Sequence, residues 1–515
     1  MSAATAGALR RWRAAIGDAH VVTDGTALAA AETTTYRTAQ RILALLRPAD
    51  VAQVSACVRI ASATGVPVYP VSTGRNWGYG SRVPPQDGCA VLDLSRLDRI
   101  LDYDEELCCV TVQPGVTQER LHRFLREQGG RLWMDGTGST PHAGPLGNTM
   151  ERGFGLTAYG DHVGRACAYE VVLADGEILH TGYGGWPGSR SARVDRWSPG
   201  PQLDGLFTQS NLGVVTAITI PLMPAPRLTQ TAMFDIAGDA QLATAIDAMR
   251  ALQLDGTVRA APWFGNHYRV IGVVMRFPWH RTAPPLRPEL AASIAAENGL
   301  APWTGYAALY GSAAQVAASR RRLLAAMRGT VRGIEVFDDA TLAAAPISAR
   351  RNVQVAIHRA YTGGLLNAAQ RAYWRKRDPA PADADPDRDR VGFIFVNASL
   401  PFRGDDVVRA QRLAAEVILD HGFEPSFSCH SIRERVLQGL STFAWDRDVP
   451  GDDERALAAH DEVARRFISN GWYPFRLGLH SLHLRDHAEP VQRRTVAAIK
   501  AALDPAGVLA PGRYA

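Results

Sequence analysis

The chain has 515 residues, of which 46% are apolar and 21% charged, and its formal net charge is +5. That balance excludes a disordered chain, and no apolar run reaches the roughly 18 residues that a membrane-spanning helix needs. The 47 Gly and 31 Pro follow no three-residue period, which excludes a collagen-like rod, and the length suits two large domains or about three ordinary ones. At the start, MSAATAGALRRWRAAIG places its arginines after a small-residue stretch. A secretory leader has the reverse order, so a cytoplasmic protein is expected. Residues 49–64 read as a helix capped by Asp50, with Val51, Val54, Val58 and Ala61 at helical spacing. VPVYPV then reads as a short strand, followed at once by the glycine-rich turn STGRNWGYG (72–80). VLDL (91–94) and CCVTVQPG (108–115) read as further strands, and Thr117 caps a helix that Gly129 and Gly130 stop. EVVLADGEILHT (170–181) is a hairpin turning at Asp175-Gly176, and LGVVTAITIPL (212–222) is apolar enough to be a central strand.

PLMPAP (221–226) marks a boundary. Beyond it, long Ala-rich helices alternate with strands such as RVIGVVMRF (269–277) and GYAALYG (305–311). DPAPADADPDRDR (378–390) reads as an exposed, mobile loop. FISNGWYPFRLGLHSLHL (467–484) ends in a candidate strand, and a helix with DPAGVLAPGRYA closes the chain. The densest basic run, Arg320 to Arg322, falls in a helix-like segment and reads as a solvated face, so nucleic acid is not an expected partner. The six cysteines form no C-x-x-C pair and read as buried, reduced thiols.

Three loops carry the chemical signal: 72–80, DGTGSTPHAGPLGNTMERGFG (135–155) and TQSNLGVVT (208–216). Each is rich in Gly, Ser, Thr and Asn beside a strand. Glycines let backbone N–H groups converge on an anion, and a diphosphate is the obvious ligand. Neither the Walker pattern nor a well-placed Rossmann fingerprint is present, so a dinucleotide site of another type is indicated.

The ordered blocks PVSTGRNWGYG, VQPGVTQERLHRFL, LGNTMERGFGLTAYGDH, YEVVLADGEILHTG, DGLFTQSNLGVVTAITIPLMP and DPAGVLAPG closely resemble the vanillyl-alcohol oxidase and para-cresol methylhydroxylase family of FAD flavoproteins. The resemblance is dense over 65–225 and returns over about 391–515. It implies an α+β fold in which a PCMH-type FAD-binding domain of two α+β subdomains carries an inserted α+β cap over the flavin. The corresponding boundaries are 1–230 for the FAD-binding domain, 231–470 for the cap and 471–515 for the return to the FAD-binding domain. By resemblance Ser72, Thr73, Gly74, Arg75, Asn76 and Trp77 match the pyrophosphate loop. Leu146, Gly147, Asn148, Glu151 and Arg152 match a second FAD-contacting segment, with Gly160 and His162 just beyond it. Val214 and Val215 match a backbone segment near the adenine.

The implied activity is an FAD-linked oxidase or dehydrogenase that takes a hydride from a small organic substrate, phenol-like or nitrogen-containing, to flavin N5. Oxygen or another electron acceptor reoxidises the flavin. A para-substituted phenol or benzylic-alcohol oxidase and a non-catalytic FAD-fold binding protein are the rivals. No membrane partner is expected, and a homodimer is left open. In phenol-oxidising relatives two tyrosines and an arginine bind the phenolate. Tyr79 and Arg476 match the first tyrosine and the arginine, while Phe475 stands where the second tyrosine would be. The catalytic aspartate is also replaced, by Ser139 or Thr140, and Asp135 matches an earlier aspartate. His142 is a candidate replacement base, since a histidine titrates near neutrality. His480, four residues from Arg476 on one face of the candidate strand, is a candidate pocket residue, and no metal site is expected. Simple para-alkylphenols should be poor substrates. The residues before the strand at 391–404 contain no His, Tyr or Cys, and the pyrophosphate loop contains no histidine. A non-covalent FAD is therefore expected.

Overall fold

The computed structural model describes residues 2–514. A mixed four-stranded sheet (Val21–Val22, Ala44–Leu46, Ala90–Asp93, Val68–Val71 in spatial order) lies against the helices Ala3–Ile16 and Val51–Thr64. Asp50 caps the second helix through the Gln53 N–H at 2.8 Å, and Val54, Val58 and Ala61 are fully buried. A five-stranded antiparallel sheet follows, in the order Ile100–Asp104, Cys109–Val112, Val214–Pro221, Cys167–Val172, Ile178–His180. The apolar 214–221 strand takes its centre. Gly176, at φ +82°, makes the hairpin turn between its last two members.

The largest sheet is antiparallel and seven-stranded: Gly333–Phe337, Leu228–Ile236, Trp303–Gly311, Trp263–Asn266, Ser426–Arg433, Val436–Asp446, Val391–Pro401. One face packs on the helices Asp239–Leu254, Ala313–Met327, Gly404–Asp420 and Asp452–Ser469. The two-residue period of each strand sends alternate side chains to the other face. In the last strand Ile394, Val396 and Ala398 enter the core, while Phe393 and Phe395 face a large cavity. Trp263, Tyr306 and His430 reach the same cavity from their strands. The chain end returns to the first sheet: Leu509 pairs with Val68, and Ala510 O accepts from Asn211 Nδ2 at 3.1 Å.

Three local expectations change. Residues 269–277 are not a strand, because His267–Val274 is a helix. Asn266 ends the preceding strand and caps this helix, accepting from the Arg269 N–H at 3.1 Å. A β-branched run reads equally as either element when it is to be buried, and here the cap decides. The 378–390 segment is anchored rather than loose. Asp387 is buried and accepts from Trp77 Nε1 at 3.1 Å and Ser81 Oγ at 2.8 Å, and Asp385 pairs with Arg75. Residues 471–478 are irregular and Leu479–His487 is a 3-10 helix, not a strand. The Asn397 side chain accepts both the Phe475 and the Arg476 N–H, which leaves neither for a sheet ladder.

A 3-10 segment, Ala368–Arg375, walls the cavity and is fastened by one buried ion pair. Arg375 donates to both oxygens of Glu424 at 2.9 and 3.0 Å, and Glu424 also accepts the Leu286 N–H and Trp374 Nε1. Both side chains are almost fully buried. Removing one member leaves the other as an uncompensated charge, so Glu424→Ala is expected to cost about 3–5 kcal/mol in reversible denaturant unfolding, and Glu424→Ala with Arg375→Met less than the single change.

Candidate functional site

The cavity has a volume of about 1080 Å³ and lies between the glycine-rich loops and the inner face of the seven-stranded sheet. Ser72, Thr73, Gly74, Arg75, Asn76 and Trp77 all line it. So do Leu146, Gly147, Asn148, Glu151 and Val215. The two loops interlock: Thr73 Oγ1 accepts the Gly144 N–H at 3.1 Å, and a Cβ on Gly144 would sit 2.5 Å from Ser72 Oγ. Gly74 holds φ +70°, a left-handed backbone that glycine adopts without strain. The backbone N–H groups of residues 73–77 donate to no other group of the described residues. Such a run of unmatched donors beside a roomy cleft suits the diphosphate of a dinucleotide.

Four of the expected cofactor residues stand elsewhere. Val214 packs in the apolar core behind the loops, because adjacent strand residues point to opposite faces. His162 braces the second loop, with Nδ1 at 2.7 Å from Asn148 Oδ1 and Nε2 at 2.9 Å from Asp135 Oδ2. Gly160 lets the backbone approach Gly155 O, where a Cβ would lie at 2.6 Å. Arg152, at φ +51°, turns the chain after the helix Pro145–Met150 and stays outside the cavity wall.

Of the expected substrate and catalytic residues, Tyr79, Phe475 and Arg476 come together in the cavity. The Tyr79 ring stacks on Phe395 at 5.1 Å, and the Arg476 guanidinium lies over the same ring, 4.3 Å from its centre. Burial pushes the Tyr79 phenol up to about 12, against the pull of Arg476. Arg476 also donates to Asn76 Oδ1 on the pyrophosphate loop. Glu151 lies 3.8 Å from Arg476 Nε, but its stronger partners come from the chain end: Arg513 at 2.9 Å and the Tyr514 hydroxyl at 2.7 Å. Burial alone would raise the Glu151 pKa; Arg513, then Arg476, outweigh it and hold the carboxylate ionised. One carboxylate thus faces two guanidiniums, and Arg476 keeps net positive charge at the cavity.

Two candidates are misplaced. His142 has a side chain 63% exposed and faces Glu119 at 3.6 Å, outside the cavity. His480 is half-buried and not part of the cavity wall, hydrogen-bonded to the Tyr36 hydroxyl at 2.9 Å and packed on His460. The 3-10 turn, rather than a strand, carries it away from Arg476. Ser139 lines the cavity, whereas Thr140 is buried behind it. Sequence reading missed Asn397, Arg513, Tyr514, Arg269, Arg371 and His430. An asparagine inside the apolar run VGFIFVNASL was a usable signal, since a buried amide needs partners.

The sequence profile described as an FAD binding domain matches residues 42–182. A "1'-carboxy-chondrochloren decarboxylase" of Chondromyces crocatus is 41% identical over 98% of this chain and 96% of that protein. The "4-cresol dehydrogenase [hydroxylating] flavoprotein subunit" of Pseudomonas putida is 28% identical over 98% and 94%. The crystal structure of p-cresol methylhydroxylase with substrate bound superposes with a TM-score of 0.91, at 26% identity, over 100% of this chain and 97% of that one. The chain belongs to the vanillyl-alcohol oxidase and para-cresol methylhydroxylase family of FAD flavoproteins. It is an FAD-linked oxidoreductase, and the unmatched donors of residues 73–77 and the glycine-lined cleft fit that cofactor. No helix of the described residues is long and apolar enough to cross a membrane.

Asp387, which holds the flavoprotein's 77–81 turn, titrates unusually. Burial raises its carboxyl from 3.8 to about 7; Asp385 adds to this, while Ser81, Arg82 and Arg75 oppose it. The folded state therefore keeps a proton that the unfolded chain releases. The stabilisation is complete below pH 3.8 and is lost as pH rises to about 7. Asp387→Asn is expected to gain stability relative to the parent between pH about 4 and 7, read as the difference in melting temperature of the two apoproteins across that range.

Proposed function

We propose that the flavoprotein oxidises a phenol-like substrate by hydride removal beside the ring, with Tyr79 and Arg476 holding the phenolate end. The observation that carries this reading is the Glu151–Arg513–Arg476 arrangement, which leaves one guanidinium charge facing the cavity. FAD, when bound, supplies the two-electron acceptor. Arg476 holds negative charge in a water-poor setting, where a fixed cation is worth most. Phe475 contributes shape without a hydroxyl. Glu151 is the only carboxylic acid among the described residues that line the cavity, and its partners occupy it. His430 does not replace His142 as a base: burial, then Arg269 and Arg371, hold its pKa well below 6.5, so it stays neutral and serves as a hydrogen-bonding wall of the cavity. Ser139 and Thr140, where relatives carry an aspartate, support a substrate other than a simple para-alkylphenol.

A second reading is oxidation followed by loss of a carboxyl group. It is favoured by two cavity arginines without acidic partners, Arg269 and Arg371, and by the likeness to a relative named as a decarboxylase. In that sequence a hydride leaves the benzylic carbon, and the bond to the carboxylate then breaks. Its electron pair enters the new carbon–carbon double bond as the ring returns to phenolate and CO2 departs, so no second oxidant is required.

Arg476→Ala is expected to slow anaerobic flavin reduction by roughly 10²-fold or more, with FAD content and melting temperature retained. An unchanged rate in stopped flow overturns the role. Mass analysis of the same reaction separates the two readings, since one product has lost two hydrogens alone and the other CO2 as well.

The flavin is proposed to be held without a covalent link. Two of the tyrosines in the cavity wall are engaged: Tyr373 donates to Asp389, and Tyr79 packs against Phe395 and Arg476. The nearest residues before the 391–401 strand are Asp and Arg, poor nucleophiles toward the flavin ring. Acid precipitation should leave the yellow colour in the supernatant; a flavin-sized mass increment on the denatured chain refutes this.

A further inference from the structure

Burying an arginine without a counter-charge is costly, because the guanidinium does not deprotonate to escape. This chain neutralises such groups elsewhere. Arg375 has its bidentate Glu424, and Arg513 has Glu151. Arg371, four residues before Arg375 on the same 3-10 segment, has no side-chain hydrogen bond and no acidic partner among the described residues, and it lines the cavity. Arg269, on the first turn of the 267–274 helix, lines it too. Its one side-chain bond is a long one, to Thr442 Oγ1 at 3.3 Å, and its Nε is buried without a partner. The two guanidiniums are near enough to repel each other, and both repel a proton from His430, whose Nδ1 is also buried and unpartnered. Phe154 bridges this cluster to the Tyr79–Arg476 end, its ring 5.0 Å from His430 and 6.1 Å from Phe475.

We propose that Arg269 and Arg371 form a second anchor in the cavity, which binds a carboxylate carried on the side chain of the substrate. Two planar donors with free N–H groups match the two oxygens of a carboxylate, and the missing counter-charge arrives with the ligand. The substrate class is then a phenol at one end and a carboxylate a few bonds away. The ring meets Tyr79 and Arg476 while the acid meets the pair. The walls between are aromatic, which suits the connecting carbons.

The inference deepens the phenol-like reading above and rests on it for the choice of probes. The holoenzyme is titrated with 3-(4-hydroxyphenyl)propionate, 4-propylphenol and 3-phenylpropionate, following the perturbation of the flavin spectrum. The hydroxyphenyl acid is expected to bind about 10-fold or more tighter than 4-propylphenol, the scale of charged hydrogen bonds. Arg371→Met and Arg269→Met should each weaken both acids by about 10–100-fold and change 4-propylphenol less than about 3-fold, with FAD content unchanged. Ligand-free Arg371→Met should melt no lower than the parent, since it removes an unpaired, half-buried charge from the cavity wall; a merely structural arginine would lower it. Binding of 3-phenylpropionate alone would sink the phenol reading and keep the anchor. Equal affinity for the acid and the neutral phenol overturns the anchor, as does failure of both acids to bind. Loss of FAD in either variant would assign the pair to the cofactor and overturn the proposal as well.

Discussion

The site depends on a charge imbalance around Glu151. A buried carboxylate with two guanidiniums is stable only if at least one lies close, and Arg513 fills that place from the third-last residue of the chain. Arg476, at 3.8 Å, is the longer-range partner of the same carboxylate, and two cations on one carboxylate leave net positive charge. Without Arg513, Glu151 would take Arg476 as its partner, and the cavity would lose its cation. The family chemistry needs a fixed positive charge where an anion develops, so a contact made at the very end of the chain sets the electrostatics of the centre.

The sheet supplies the complementary wall by its period alone. In the 391–401 strand the even-numbered residues Ile394, Val396 and Ala398 bury into the cap core, and the odd-numbered Phe393 and Phe395 form cavity surface. Asn397, next on that side, clamps residues 475 and 476 with its amide, accepting two N–H groups and donating to Arg476 O at 2.9 Å. A one-residue slip would turn the asparagine into the apolar core, away from residues 475 and 476, and withdraw both rings, so the register that packs the core is the register that places Arg476.

The glycine-rich loops, the 51–64 helix, the 170–181 hairpin and the central 214–221 strand were legible because their signals are local. A cap residue, a turn dipeptide and an apolar run each act within a few residues. The cap interior was less legible. RVIGVVMRF carries β-branched residues suited to a strand, yet the asparagine three residues before it wins a helix cap. The acidic 378–390 run looked solvated, but Asp387 and Asp385 meet Trp77, Ser81 and Arg75 from more than 300 positions earlier. His480 looked like a pocket residue only while 476–480 was taken as one strand. What could not be read was which distant charges find each other, and the unpaired arginines are the limiting case, since nothing in a sequence marks a cation that lacks its partner.

The order in which these parts can form adds a constraint. The cleft uses residues near 72, 151, 397, 476 and 513, so its last wall closes only after almost the whole chain has docked. Before that, Glu151 and Arg476 are solvated, and the pyrophosphate loop lacks the Asp385 and Asp387 contacts that hold its far side. A cofactor that binds the closed cleft and not the open chain stabilises the closed form by mass action. The long-range contacts that make the site hard to read from sequence are therefore also those that couple FAD binding to the final docking of the tail. The uncompensated cations bear on the same balance. Their repulsion opposes closure in the empty protein, and an anionic ligand relieves it, so the electrostatic cost of folding this cavity is also the source of its preference for negative charge.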